Sequence, residues 1–254
     1  MKKVLFLFLV SSLTFVSCDS SDSSIEEKAI SNEKEDSKLE RRVLSTMTAG
    51  QLHNAYLDEM YAYLRGRGNI NTSNIHVYSR EFFSAFEYYD LALKRYRYTI
   101  NTPNVRYDFS RQLNLEIENL NRRLDNSDFR NLDEFKNFVS SYRPLYIRER
   151  NDLIAWQNYT DVFSYSVIYW STNLERWTIL INRNAIGLSE RRCSEGKFFR
   201  RAWCKIKEYA KTDAAAYQEE KQKNPSASFE ATVLAGAAAS AAAFIKDLSP
   251  PSQS

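Results

Sequence analysis

The chain has 254 residues, 43% of them hydrophobic and 26% charged, with a formal net charge of +3. That length suffices to bury a core as one large or two small domains, and the near-balanced charge argues against a strongly electrostatic partner such as nucleic acid. With 6 Gly and 5 Pro against 16 Tyr and 15 Phe, turn punctuation is too sparse for a β-sandwich, and the composition favours helices.

Residues 1–17 read as a signal peptide rather than as part of the fold. Lys2 and Lys3 form a basic region, residues 4–16 an apolar one too short to span a bilayer, and small residues lead into Cys18. The ending Phe15-Val16-Ser17-Cys18 resembles the lipobox of bacterial lipoproteins, with Phe15 in place of the usual Leu. The resemblance covers the signal alone. It implies cleavage just before Cys18, diacylation of its thiol, and attachment to a membrane of the bacterial envelope through that lipid; a plain cleaved signal is the alternative. Residues 18–42 lack aromatics and are dominated by Ser, Glu, Asp and Lys, so they are expected to form a disordered tether. Asp19, Asp22, Glu26 and Glu27 resemble the surface-export tethers of some lipoproteins, whereas Asp19 alone resembles an inner-membrane retention signal. Of the two sortings, outer membrane or cell surface is the favoured one.

Residues 43–254 are expected to be a single helical domain. Thr48 and Gln51 have the spacing of a capping box; Leu52, Tyr56, Met60 and Tyr63 then carry a helix to a stop near Gly66. A second helix is predicted over 79–98 with Phe82, Phe86, Tyr89, Leu93 and Tyr96 as its stripe, and a third after an Asp108 cap with Phe109, Leu113, Ile117, Leu120 and Leu124 on one face. Asn131 and Glu134 suggest another capping box. Trp156, Thr160, Phe163, Val167, Trp170, Leu174, Trp177 and Ile181 then alternate spacings of four and three, the heptad seam of a long bundle helix. VFSYSVIYW, inside that seam, has partial strand character, but the seam is the longer signal. A further helix follows from Lys197, and Asn224-Pro225 is read as the N-cap and first residue of an alanine-rich helix. The fold expected is all-α, an irregular bundle of six or seven helices with a long central helix and an Ala-rich C-terminal one.

With Cys18 lipidated, Cys193 and Cys204 form an even pair in an oxidising compartment, which predicts a disulfide. Two histidines, His53 and His76, give no metal-ligand spacing and no nucleophile–base pair, and no cofactor or metal is expected. His53 reads as a surface or boundary residue. Adjacent acids such as Asp133 and Glu134 read as solvated faces rather than as the opposed carboxylates that glycoside hydrolysis requires. Asp213, at the edge of an apolar helix face between Tyr209 and Tyr217, could pair with a neighbour or bind a ligand; a boundary carboxylate in water is the ordinary reading. The stretch from 82 to 98 mixes rings with Lys94, Arg95 and Arg97, as platforms for glycans or single strands do, although core spacing explains most of the rings.

These features point to a lipid-anchored binding or accessory module with a protein or glycan partner. A membrane-active protein using residues 228–248 is the alternative, and an enzyme acting on envelope glycan a third class. ATVLAGAAASAAAFI, inside that segment, is uncharged but short for a bilayer, and reads as a small-residue core helix.

Overall fold

The computed structural model describes residues 47–102, 107–127, 129–181 and 198–248. The signal, Cys18, the tether up to residue 46 and Cys193 lie outside the described residues. Among these there are eight helices and no strand: α1 (Ala49–Arg67), α2 (Ile75–Ser84), α3 (Tyr89–Asn101), α4 (Arg111–Asp125), α5 (Leu132–Ser141), α6 (Arg150–Ile181), α7 (Phe198–Lys223) and α8 (Phe229–Leu248).

The extra helix arises where one was predicted over 79–98. That segment is two helices, α2 starting earlier and α3 ending later, separated at residues 85–88. Ala85 N–H and Phe86 N–H bond three residues back, to Phe82 and Phe83, so the last turn tightens and the α-ladder stops. The break turns Phe82, Phe83 and Phe86 into one edge-to-face cluster, with Phe82 5.1–5.2 Å from the other two rings, while Tyr96 on α3 approaches Phe83 from a new direction.

Each start has its own local chemistry. Thr48 and Gln51 do form the capping box, Gln51 N–H donating to Thr48 Oγ1 at 3.4 Å and Thr48 N–H to Gln51 Oε1 at 2.9 Å. Asp161 of α6 joins them, accepting from Gly50 N–H at 2.8 Å and from Thr48 Oγ1 at 3.3 Å. Asn131 caps α5 through Glu134 N–H at 2.9 Å, but Glu134 reaches back to Arg130 N–H rather than to the cap residue itself. Two expected caps shift. Ser110, not Asp108, caps α4, accepting from Leu113 N–H and donating to Asp152 on α6. Ser228, not Asn224, opens α8, its Oγ accepting from Ala231 N–H at 3.1 Å. Asn224 N–H continues the ladder of α7 to Glu220, so Asn224-Pro225 closes one helix instead of opening the next.

The 32 residues of α6 are helical without interruption, about 48 Å at 1.5 Å per residue; the strand-like VFSYSVIYW is helix throughout. Six seam residues, Trp156, Phe163, Val167, Trp170, Trp177 and Ile181, are buried. Val162, Ser166 and Tyr169 are buried beside them, because α6 packs on α7 along one side and on α1 along another.

The alanine-rich α8 packs on α3, α7 and α1, and Ala231 through Ala242 are all buried. At 20 residues and a mean hydropathy of 1.3 it is long and apolar enough to cross a membrane by length and composition, yet here it is clothed in protein. Small side chains let neighbouring backbones close in. An added Cβ on Gly236 would stand 3.2 Å from Tyr217 Cβ and 3.4 Å from the Asp213 carbonyl oxygen. Two indoles of α6 reach across to the same helix: Trp170 lies 5.1 Å from Phe244 and donates to Ser240 Oγ at 3.0 Å, and Trp177 lies 5.6 Å from Phe244 while donating to Tyr169 Oη of its own helix at 2.9 Å. Both indole N–H groups are thus satisfied inside the core, as burial demands.

Candidate functional site

Three polar constellations interrupt the apolar interior. The first joins His53 on α1, Ser166 on α6 and Asp213 on α7, each fully buried at 0% exposure. Ser166 Oγ donates to Asp213 Oδ2, and His53 Nε2 lies 3.3 Å from the same oxygen but off the line of a hydrogen bond. His53 Nδ1 faces Asn54 Oδ1 at 3.1 Å, and the Asn54 amide is oriented by donating to the Tyr165 carbonyl. A serine, a histidine and an aspartate invite comparison with a nucleophilic triad. The order is wrong: the serine proton goes to the carboxylate, not to imidazole, and the group is sealed from solvent. It ties three helices together rather than offering a nucleophile.

The second is the Glu116 carboxylate on α4, also fully buried. It accepts from Leu145 N–H at 2.6 Å, Tyr146 N–H at 2.7 Å, Tyr142 Oη at 2.5 Å and Asn119 Nδ2 at 3.4 Å. Four donors around one carboxylate satisfy it almost completely, and they hold the irregular segment after α5 against α4.

The third opens to solvent. Arg95 of α3, 6% exposed in its side chain, lies between two carboxylates of α7, themselves 4% exposed. Its Nε and Nη2 donate to Glu220 Oε1, and Nη2 lies 2.7 Å from Glu219 Oε2. The remaining oxygens are used as well: Glu219 Oε1 by Lys223 Nζ at 2.6 Å, and Glu220 Oε2 by Asn224 Nδ2 at 2.7 Å. Burial pushes the Glu219 carboxyl upward, but the Lys223 hydrogen bond and the Arg95 charge outweigh it and hold it below the ordinary 4.5. Burial likewise works against the Arg95 charge and is outweighed by Glu220 and Glu219. Removing the guanidinium would leave Glu219 with Lys223 alone and Glu220 with only the neutral Asn224 amide, so that one buried charge loses its counter-ion, a loss of about 3–5 kcal/mol. Above this floor lies a cleft of ≈730 Å³, with Lys94, Tyr98, Tyr107, Asp108, Lys223 and Asn224 around it. Tyr98 is 41% exposed and carries the Arg95 guanidinium carbon 5.4 Å from its ring centre. The Tyr107 hydroxyl donates to the Thr212 carbonyl at 3.3 Å, and burial pushes its pKa up.

No family model matches the chain, nor does any curated protein or solved structure. The site therefore stands on its own geometry.

The residues singled out on α7 point inward. Asp213 belongs to the sealed cluster, not to a solvated boundary, and His53, read as a surface or boundary residue, is its partner from 160 positions earlier. Tyr209 is buried, its hydroxyl donating to Asp247 at 2.9 Å, and it borders a cavity of ≈520 Å³ between α4, α7 and α8. Tyr217 is buried against Gly236, and burial first, then Asp161, pushes its hydroxyl up to about 12. Cys204 lies half-buried on α7, and its expected partner Cys193 is outside the described residues. Among the described residues no group of three His, Cys, Asp or Glu side chains could hold a metal ion. The sequence did mark Lys94 and Arg95 as basic residues among rings. It carried no sign that Glu219 and Glu220 face them, because the two segments are more than a hundred residues apart.

Proposed function

We propose that this chain is a lipid-anchored protein of the bacterial envelope, held to the membrane through Cys18, that acts as a binding or accessory module. The observation that carries the binding role is the Arg95 cleft. It is solvent-facing, of a size ordinary for ligand sites of about 300–1,000 Å³, and its floor is fixed by a buried ion network before any ligand arrives. A preformed floor lowers the ordering cost of binding. The lipobox-like Phe15-Val16-Ser17-Cys18 supports the anchor, and residues 18–42 would let the module stand off the bilayer at the outer membrane or cell surface.

The test is metabolic labelling of cells with palmitate. The wild-type chain is expected to take up label and Cys18→Ala to take up none; equal labelling of both removes the anchor. Protease shaving of intact cells then reads which face of the membrane carries the module.

A second reading is favoured by α8, whose 20 residues have the length and hydropathy of a membrane span: a membrane-active protein that releases this helix into a bilayer. Leakage of dye from anionic liposomes, abolished by deleting residues 228–248 in a chain that still folds, would support it. Loss of all helicity on that deletion would instead mark α8 as core.

A further inference from the structure

We infer that the Arg95 cleft is a site for a neutral saccharide. The inference rests on the binding-module reading and names the ligand class of the same site.

Its charges cancel. Lys94, Arg95 and Lys223 face Asp108, Glu219 and Glu220, so neither an anion nor a cation entering the cleft finds a field of one sign. An anion that gained Lys94 and Lys223 would meet Asp108 and the Glu219–Glu220 pair; a cation would meet the reverse. What the cleft does offer is donors and acceptors side by side: the exposed Lys94 ammonium and Asp108 carboxylate, with the Lys223 ammonium and Asn224 amide that also bind the floor. A sugar hydroxyl both donates and accepts, so a polyol uses that mixture without bringing uncompensated charge.

The aromatic component points the same way. Tyr98 lies at the mouth, 41% exposed, with the Arg95 guanidinium 5.4 Å from its ring centre. One exposed ring beside polar forks supplies an apolar surface for the C–H face of a pyranose, and the ring is itself costly to leave in water. The polar floor is rigid: Arg95 is bound by Glu219 and Glu220, Glu219 by Lys223, and Glu220 by Asn224. Rigid polar forks next to an aromatic face discriminate by hydroxyl geometry rather than by charge. Within the ring-and-base segment of 82–98, core packing does not account for Lys94 and Tyr98, which are exposed, as are Tyr88 and Tyr89; of these, Lys94 and Tyr98 line the cleft.

The experiment titrates the full chain by calorimetry with neutral chito-, cello- and malto-oligosaccharides, alongside a sulfated oligosaccharide and spermidine as charged comparators. Saturable binding of at least one neutral series is expected, with weaker binding of both comparators. Tyr98→Ala is expected to weaken it about ten-fold, and Asp108→Asn several-fold; both sites are exposed, and unchanged melting confirms that the fold is intact. No saturable neutral binding, a preference for the sulfated or cationic probe, or neutral binding untouched by both variants overturns the inference. Failure here with Cys18-dependent palmitate labelling intact removes the saccharide alone, whereas loss of labelling removes the anchored-module reading whatever the sugars do.

Discussion

Gly50→Ala and Gly66→Ala make the same chemical change in the same helix and should act in opposite directions. Both glycines lie in α1, and an alanine raises helix propensity by up to about 1 kcal/mol in a helix interior, less in a first or last turn. At Gly66 nothing lies within 4 Å of the new Cβ, so propensity and the stiffer unfolded chain are the whole effect: a gain of about 0.3–1 kcal/mol. At Gly50 the new Cβ would stand 2.5 Å from Tyr165 Cδ2 and 2.7 Å from Tyr165 Cβ and Cγ. The Tyr165 ring could swing, but its Cβ is fixed to the backbone of α6, so the two helices must part. Parting them stretches Gly50 N–H to Asp161 at 2.8 Å and Asn54 Nδ2 to the Tyr165 carbonyl at 2.9 Å. Overpacking costs about 1–3 kcal/mol and each weakened hydrogen bond about 1 kcal/mol, against the propensity gain. The net expectation is a loss of about 2–5 kcal/mol, or roughly 4–20 °C in melting temperature for a domain of this size. Urea unfolding of the two variants beside wild type reads both signs at once. Equal stabilisation by both substitutions would show that α1 does not approach α6 this closely.

Glu116→Ala removes both acceptors, Oε2 that takes the Leu145 and Tyr146 N–H groups and Oε1 that takes the Tyr142 hydroxyl; a loss of about 1–3 kcal/mol for each donor left stranded is expected, with faster hydrogen exchange at the Leu145 and Tyr146 amides, and unchanged exchange there would count against the anchor. Acidification should loosen the Arg95 floor. Glu219 titrates lower in the fold than its ordinary 4.5, so its contribution is complete above that value and fades as pH falls through the lower folded one. Urea midpoints taken from about pH 7 to about pH 3 should therefore fall more steeply for wild type than for Glu219→Gln, and parallel curves would refute the linkage. The disulfide expected between Cys193 and Cys204 predicts that neither thiol alkylates in the unfolded, unreduced chain and that reduction lowers stability by about 3 kcal/mol; free alkylation of both without reductant would exclude the bond.

What was legible in the sequence is what depends on neighbours in the chain. The seam of α6 could be read because spacings of three and four keep successive side chains on one face over seven turns. The Thr48 box could be read because cap and partner are three residues apart. The two misplaced caps show the limit of that logic. Asp108 and Asn224 have the right chemistry for a cap, but Ser110 and Ser228 are the residues at which the backbone turns, and packing of α4 on α6 through Asp152 decides the first of them. The polar sites were illegible for a different reason. Glu116, His53, Asp213, Glu219 and Glu220 are charged or titratable residues that sequence statistics assign to solvent, and each is buried because a partner from a remote segment compensates it. Only the tertiary fold supplies those partners.

The alanine-rich helix poses a problem of its own, which its polar contacts solve. A cylinder of Ala has shallow ridges, so ridge-into-groove packing gives it little resistance to sliding or turning about its axis. Directional bonds supply what shape does not. Near its middle, Ser240 accepts from the Trp170 indole. At its end, Lys246 donates to the Thr99 and Thr102 carbonyls that terminate α3, and Asp247 accepts from Tyr209 and Lys205 of α7. These contacts come from three different helices, so no single rotation or shift of α8 preserves them all. They also bear on whether α8 could leave for a bilayer. Departure would strand the Trp170 N–H in the core and carry Lys246 and Asp247 towards lipid, while exposing the faces of α1, α3 and α7 that α8 covers. A helix with the length of a membrane span is thereby held as the pin of the helical bundle, and any stimulus that frees it must offset those losses together.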